Sequence, residues 1–340
     1  MTAEPTTRVV SADADAVAQA ARLLAAGGLV AFPTETVYGL GADATNPIAI
    51  ARLYAAKDRP AFNPLIAHVA DIATARVLAV FDDAAEKLAA AFWPGPLTLV
   101  LRRNLKCPVA ELATAGLNTI AVRVPNHPVA RDILRAFGRP IVAPSANRSG
   151  HVSPTIAAHV LADLRGRVEL IVDGGATWVG LESTIVACLD GRALLLRPGG
   201  IPRADLERVL GGALADAPDL RIDADRDAPI APGMLASHYA PKAKLRIDAT
   251  SVNAGEALLA FGANLPPGEG RALRVLNLSE RGDLVEAAAN LFSHLRSLDA
   301  AGVATIAVMP VPHDGLGEAI NDRLARAAAP RESAAHERDE

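Results

Sequence analysis

The side chains able to do chemistry gather in a few short segments of this 340-residue chain. Thr34, Glu35, Thr36 and Tyr38 follow the apolar run Leu29–Phe32, and Lys57, Arg59, Asn63 and His68 come soon after. Thr119 and Arg123 open and close another apolar run. Ser145 and Asn147, with Ser149 and Ser153, follow a third, and Glu182-Ser183-Thr184 and Arg197-Pro198-Gly199-Gly200 flank the next two. Cations and glycine amides bind phosphate oxygens, and hydrogen bonds to an ionised partner are about twice as strong as neutral ones. Together the groups suit a phosphate-bearing ligand with an anionic co-substrate. Each has a plainer use by itself: Lys57-Asp58-Arg59 as a solvated helix end, Ser145 and Asn147 as turn formers, His68 as a core histidine, Arg123 and Arg197 in surface ion pairs. Their joint occurrence carries the reading.

These groups need a scaffold that delivers them to strand ends, where open α/β sheets bind ligands. Apolar, β-branched runs predict strands at 29–32, 64–69, 97–101, 119–124, 140–143, 170–173, 184–189 and 194–197. Capping residues and helical spacing predict helices from Ser11 or Asp13 to Ala26, at 47–56, 82–92, 127–137, 155–164 and 202–210. Pro33 to Gly41 reads as a loop whose glycines let the backbone turn near a ligand. Strands that follow one another without intervening helices predict a mixed sheet. After residue 210 the chain turns rich in Ala, Asp and Pro, and holds His238 beside Tyr239. A semi-rigid linker is expected over 211–243. Strands at 245–247, 258–261, 272–276 and 304–309 with helices at 284–298 and 316–327 predict a small Rossmann-like α/β domain over 244–330. The charged tail 331–340 reads as disordered.

Composition excludes several classes. The net charge is −4 and aromatic content 4%, which counts against a basic, stacking nucleic-acid binder. Cys107 and Cys188 are the only cysteines, too few for a disulfide framework or a thiolate zinc site, and fit a reducing, cytoplasmic setting. No signal peptide and no membrane-spanning stretch is apparent. There is no P-loop pattern and no G-x-S-x-G around Ser145 or Ser183. Gly39-x-Gly41-x-x-Ala44 matches a loose dinucleotide pattern, but lies too far beyond its strand for a tight strand–helix turn. The remaining histidines show no metal spacing.

Pro33-Thr34-Glu35-Thr36-Val37-Tyr38-Gly39-Leu40, Lys57-Asp58-Arg59-Pro60, Asn63-Pro64-Leu65, Trp93-Pro94-Gly95-Pro96-Leu97-Thr98, Val122-Arg123-Val124-Pro125 and Pro144-Ser145-Ala146-Asn147 together resemble the YrdC-like family. Glu182-Ser183-Thr184, Leu196-Arg197-Pro198-Gly199 and the linker residues Pro232-Gly233-Met234 and His238-Tyr239-Ala240-Pro241 resemble its long, two-domain form. The resemblance implies a twisted mixed sheet with flanking helices over 1–210 and a linker folding over the active site. It implies a nucleotidyltransferase that joins L-threonine, bicarbonate or CO2 and ATP into L-threonylcarbamoyl-AMP and releases pyrophosphate. A tRNA threonylcarbamoyl transferase would then use that product to make t6A.

The same resemblance assigns threonine to Thr36, His68, Arg123 and Ser183. It assigns the nucleotide to Arg59, Asn63, Thr119, Ser145, Ser153, Arg197 and Tyr239, with Lys57 and Arg59 acting at the phosphates. Thr34, Tyr38 and Asn147 would complete the pocket. Mg2+ would arrive on the ATP phosphates without a protein cage, and no organic cofactor is implied. The alternatives are a non-catalytic RNA-binding module, since the family's concave face also reads as an RNA contact, and a nucleotide-cofactor dehydrogenase resting on Gly39.

Overall fold

The computed structural model describes residues 5–216 and 239–330. The chain divides into two compact units, residues 1–149 with 153–234 and residues 150–152 with 235–340. Of the stretch expected as a linker, Leu214 packs in the core of the first unit and Ala215–Asp216 adds a strand to its sheet. Residues 239–243 belong to the second unit. Residues 217–238, His238 among them, and the tail lie outside the described residues.

In chain order the first unit runs β1 (Arg8–Ser11), α1 (Ala14–Ala25), β2 (Val30–Pro33), β3 (Tyr38–Asp43), α2 (Pro47–Lys57), β4 (Ile66–His68), α3 (Ile72–Leu78), β5 (Ala79–Val80) and α4 (Asp83–Phe92). It continues β6 (Leu97–Arg103), a 3-10 turn (Glu111–Thr114), β7 (Thr119–Arg123), α5 (Pro128–Phe137), β8 (Ile141–Val142), α6 (Ala157–Leu164), β9 (Leu170–Asp173), β10 (Thr184–Leu189), β11 (Arg192–Arg197), α7 (Arg203–Leu210) and β12 (Ala215–Asp216). Local chemistry starts the helices. Asp13 accepts from the Ala16 N–H at α1, and Asn46 accepts from Ile48 and Ala49 at α2 with Pro47 in the first turn.

The strands form one mixed sheet in the order β1-β9-β2-β3-β8-β4-β7-β6-β10-β11-β12, with β5 paired to β6. Of the loop expected over 33–41, Pro33 ends β2 and residues 38–41 open strand β3, antiparallel to β2. The glycines of β3 serve packing instead of turning. A Cβ on Gly41 would stand 2.6 Å from the Phe32 ring, and one on Gly39 would stand 3.1 Å from Ala143 Cβ. The dinucleotide pattern is thereby placed inside a strand.

Helices cover one face of the β4-β7-β6-β10-β11 half. Leu97, Leu99, Ile120, Val122 and Val186 turn to that side and join Leu53 of α2, Leu88 of α4 and Leu206 of α7 in the main core. On the opposite face the described residues form a cluster of strand side chains, among them Ile66, Val100, Ala121, Ala187 and Leu194.

The second unit comprises β13 (Lys244–Arg246), β14 (Ala257–Ala260), a 3-10 turn (Glu269–Arg271), β15 (Val275–Asn277), α8 (Leu284–Asp299), β16 (Thr305–Val308) and α9 (Gly317–Ala328). Its sheet is parallel throughout, in the order β13-β16-β14-β15. Among the described residues no helix is long and apolar enough to cross a membrane.

Candidate functional site

Strand register assembles the site on the sheet face opposite the helices, where the described cluster is made of strand residues. Side chains alternate between faces, so pairing puts Ile66, Ala121, Val100, Ala187 and Leu194 in one apolar row across β4, β7, β6, β10 and β11. Two residues further along β4, β7 and β6, about 7 Å away, lies a polar row of His68, Arg123 and Thr98. His68 pairs with Arg123 and Thr98 with Ile185, and a bulge at Ile185/Val186 sets Arg197, three residues beyond Leu194, opposite Ile185. Thr119, paired with Arg102, stands on the other side of the apolar row. An apolar strip is thus bordered by hydrogen-bonding groups on both sides.

Arg123 is 4% exposed. Its Nη2 donates to Glu35 Oε1 at 2.6 Å and its Nε to the Gly95 carbonyl at 3.3 Å. The other Glu35 oxygen accepts from the Asn126 N–H at 3.0 Å. Arg123 Nη1 makes no hydrogen bond among the described residues, so one edge of the guanidinium stays open. The buried His68 ring places Nδ1 3.2 Å from the Ile66 carbonyl. A carbonyl only accepts, so Nδ1 carries the proton and Nε2 presents a lone pair. Burial, helped by the Arg123 charge, lowers the His68 pKa to about 3, so the ring is neutral at ordinary pH.

The hydroxyls at the turn between β2 and β3 have an order. Thr34 Oγ1 donates to the Val37 carbonyl at 2.7 Å and lies 2.8 Å from Thr36 Oγ1. Thr34 has one proton and has given it away, so Thr36 is the donor between them. Only lone pairs remain on Thr36 for a ligand.

Further along the polar row, Ser183 Oγ lies 2.7 Å from Thr98 Oγ1 and accepts from Arg197 Nη2 at 3.2 Å. Arg197 also donates to the Ser183 carbonyl at 2.8 Å. Ser153 Oγ donates to Glu182 Oε1 at 2.5 Å. Gly199 permits this closeness, because a Cβ there would lie 2.4 Å from the Glu182 carbonyl oxygen.

A second group gathers at the end of α2. Lys57, fully buried, donates to the Ser145 carbonyl at 2.5 Å and to that of Asn147. Ser149 N–H returns a bond to the Lys57 carbonyl at 2.8 Å. Burial, and then the neighbouring Arg59 charge, hold the Lys57 amine well below its usual range. Expected at the phosphates, Lys57 here ties down the loop that carries Ser145. Arg59 Nη2 donates to the Pro64 carbonyl at 3.1 Å. Asn63 is 1% exposed, yet neither its Oδ1 nor its Nδ2 finds a partner among the described residues. Ser145 is bridged to Gly39 of β3, and the Ala143 N–H bonds the Ile66 carbonyl, which brings this loop beside β4.

Tyr38 and Tyr239 each spend their side chains on other contacts. The Tyr38 phenol donates to the Gly175 carbonyl at 2.7 Å beside Asp173, and burial with the Asp173 charge raises its pKa. It braces the end of β9. Asn147 likewise spends its Nδ2 on the Arg148 carbonyl. Tyr239 belongs to the second unit, stacked on Phe292 at 5.6 Å with Arg323 over its ring at 5.1 Å. Glu35, which stood in the sequence only as a neighbour of the threonines, and Thr98 are the site residues that sequence reasoning left without a role. A carboxylate between two threonines was the available signal for Glu35.

No three of His, Cys, Asp and Glu among the described residues converge to hold a metal ion. The nearest carboxylates of this face, Glu35 and Glu182, are bonded to Arg123 and Ser153.

Residues 22–199 match the Sua5/YciO/YrdC family model, described as "Telomere recombination", and residues 201–329 match "Threonylcarbamoyl-AMP synthase, C-terminal domain". The chain is 42% identical over 327 residues to the threonylcarbamoyl-AMP synthase of Bacillus subtilis, covering 93% of each chain. It is 42% identical over 332 residues to that of Pyrococcus abyssi, covering 92% of this chain and 94% of the relative. Among solved structures it is similar to the crystal structure of P. abyssi Sua5 complexed with L-threonine, with a TM-score of 0.83, 39% identity and coverage of 95% and 97%. E. coli YciO shares the fold over 57% of this chain and 96% of its own, with a TM-score of 0.52 at 22% identity.

Proposed function

The chain belongs to the threonylcarbamoyl-AMP synthase family in its two-domain Sua5 form, and from that premise we propose that it makes L-threonylcarbamoyl-AMP from L-threonine, bicarbonate or CO2 and ATP, releasing pyrophosphate. The observation that carries this reading is the polar row beside the apolar strip. Its open Arg123 edge donates, while His68 Nε2 and Thr36 Oγ1 accept. Threonine is the complementary ligand. Its carboxylate accepts from Arg123, and its amine and hydroxyl supply the N–H and O–H that His68 and Thr36 can receive. Ser183 borders the same row. The P. abyssi relative complexed with L-threonine supports threonine as the ligand.

The nucleotide takes the remaining polar groups of the first unit: Arg59, Asn63, Thr119, Ser145, Ser153 and Arg197. The buried, unpartnered amide of Asn63 supports a ligand with its own donors and acceptors there. Lys57 acts by setting the Ser145 loop. Mg2+ comes bound to the triphosphate, where it offsets phosphate charge.

Threonine's neutral amine attacks the carbon of CO2 with loss of a proton, or of bicarbonate with loss of water, to give the carbamate. A carbamate oxygen attacks the α-phosphorus, the bond from that phosphorus to the β-phosphate bridging oxygen breaks, and pyrophosphate leaves. No side chain needs to be a covalent nucleophile. Holding the two reactants in line replaces a bimolecular encounter, worth up to ~7–11 kcal/mol in good geometry. Arg59 and Arg197 offset the growing phosphate charge. The product is then a donor for a tRNA threonylcarbamoyl transferase in t6A formation.

Pyrophosphate release from Mg-ATP, measured with threonine and bicarbonate both present and with each omitted, tests this. Release is expected only with both. Release independent of threonine, or tight RNA binding with no turnover, sinks the reading.

A further inference from the structure

Glu35 makes none of the substrate contacts proposed above, yet it is among the most buried charges of the first unit, 1% exposed. Removing a carboxylate from water is costly unless it is paired and hydrogen-bonded. Glu35 has both. One oxygen takes Arg123 Nη2 at 2.6 Å and the other takes the Asn126 N–H at 3.0 Å. Its backbone is fixed too, since the Glu35 carbonyl accepts from the Val179 N–H at 2.9 Å. The carboxylate is therefore a rigid object pinned at both oxygens.

That rigidity passes to the guanidinium. Arg123 Nε is bound to the Gly95 carbonyl and Nη2 to Glu35. Two bonds at two corners of a planar group fix both its position and its plane. They leave Nη1 to donate along the remaining edge, where a carboxylate can be met. Without Glu35 a long, flexible side chain could turn that edge elsewhere on the face. We infer that Glu35 is a positioning residue that orients the open edge of Arg123, and so sets the preference of the polar row for an amino acid with a free α-carboxylate. The inference rests on the proposed threonine site.

The test compares wild type, Glu35→Gln, Glu35→Asp and Arg123→Lys. It measures the KM for L-threonine, the KM for ATP and the binding ratio of L-threonine to L-threoninamide, which lacks the carboxylate. A Gln at 35 must turn its NH2 toward either Arg123 or the Asn126 N–H, both donors, and so breaks the pin. Glu35→Gln is expected to raise the threonine KM about tenfold or more while the ATP KM stays within twofold. It should also shrink the threonine-to-threoninamide ratio by a similar factor. Glu35→Asp keeps the charge and should recover part of the ratio. It also serves as the readout if the Gln variant does not fold.

A threonine KM within twofold of wild type in Glu35→Gln, or tighter binding there, overturns the inference, since Glu35 would then be a bystander or a competing anion. Should Arg123→Lys leave the threonine KM and the ratio unchanged, the threonine site itself is wrong and the inference falls with it. An Arg123→Lys effect without a Glu35→Gln effect rejects the inference alone.

Discussion

Asn63 carries a donor and an acceptor into a place where neither meets a partner among the described residues. An unsatisfied buried polar group costs about 1–3 kcal/mol, a cost the proposed nucleotide contact would offset. Asn63→Leu is accordingly expected to leave the unfolding free energy equal or higher while nucleotide affinity falls about tenfold or more. Urea unfolding and nucleotide titration read the two sides, and unchanged affinity would remove Asn63 from the site. His68 makes the opposite kind of contribution. Its pKa is lowered from 6.5 to about 3 in the fold, so between those values the unfolded chain binds the extra proton. Stability is therefore full above about pH 6.5 and declines as pH falls through the window, by up to about 1.4 kcal/mol per unit. His68→Gln should flatten this slope in urea unfolding at pH 7, 6 and 5. His127 and His294, also lowered by burial, stay in both proteins, so the difference isolates His68.

At the scale of elements, the site depends on how closely backbones approach. The loop after β11 lies against the loop before β10, and Gly199 is the point of contact. A Cβ there would meet the Glu182 oxygen at 2.4 Å and backbone atoms of Ser183 and Thr184 at 2.5 Å. Backbone cannot yield as a flexible side chain can. Gly199→Ala is expected to cost about 1–3 kcal/mol and to raise the threonine KM by displacing Ser183. Gly191→Ala in the neighbouring turn meets nothing within 4 Å, although its positive φ of 72° carries its own strain. It should lower stability without shifting the KM. Equal KM effects from both substitutions would show general destabilisation instead of a displaced site.

For the molecule as a whole, Tyr239 belongs to the second unit. It was expected at the nucleotide, and its ring is a packing element of the second unit, fully buried against Phe292 with Arg323 above it. Tyr239→Ala should therefore destabilise the second unit by about 3–5 kcal/mol, the usual range for a buried aromatic. Hydrogen exchange should show it as faster exchange in α8 and α9. Unchanged exchange there would mean the ring does not support that unit, and any loss of activity would be assignable to nucleotide contact alone.

The sequence by itself determined most element positions, because caps, prolines and apolar runs act over a few neighbouring residues. Asp13, Asn46 with Pro47, and the Leu97 and Thr119 runs were legible for that reason, as was the family. Strands that depend on distant partners were not. Arg8–Ser11, mostly exposed along its length, exists through pairing with Leu170–Asp173, and residues 38–41 looked like a loop because their glycines answer to Phe32 and Ala143. Register decided the site. Arg123 and Glu35 are separated by 88 positions, and only the alignment of β7 beside β4 and the closure of the β2–β3 turn bring the guanidinium to the carboxylate. Hydrogen-bond direction was likewise settled in space, since a hydroxyl has one proton and the fold chose where Thr34 would spend it.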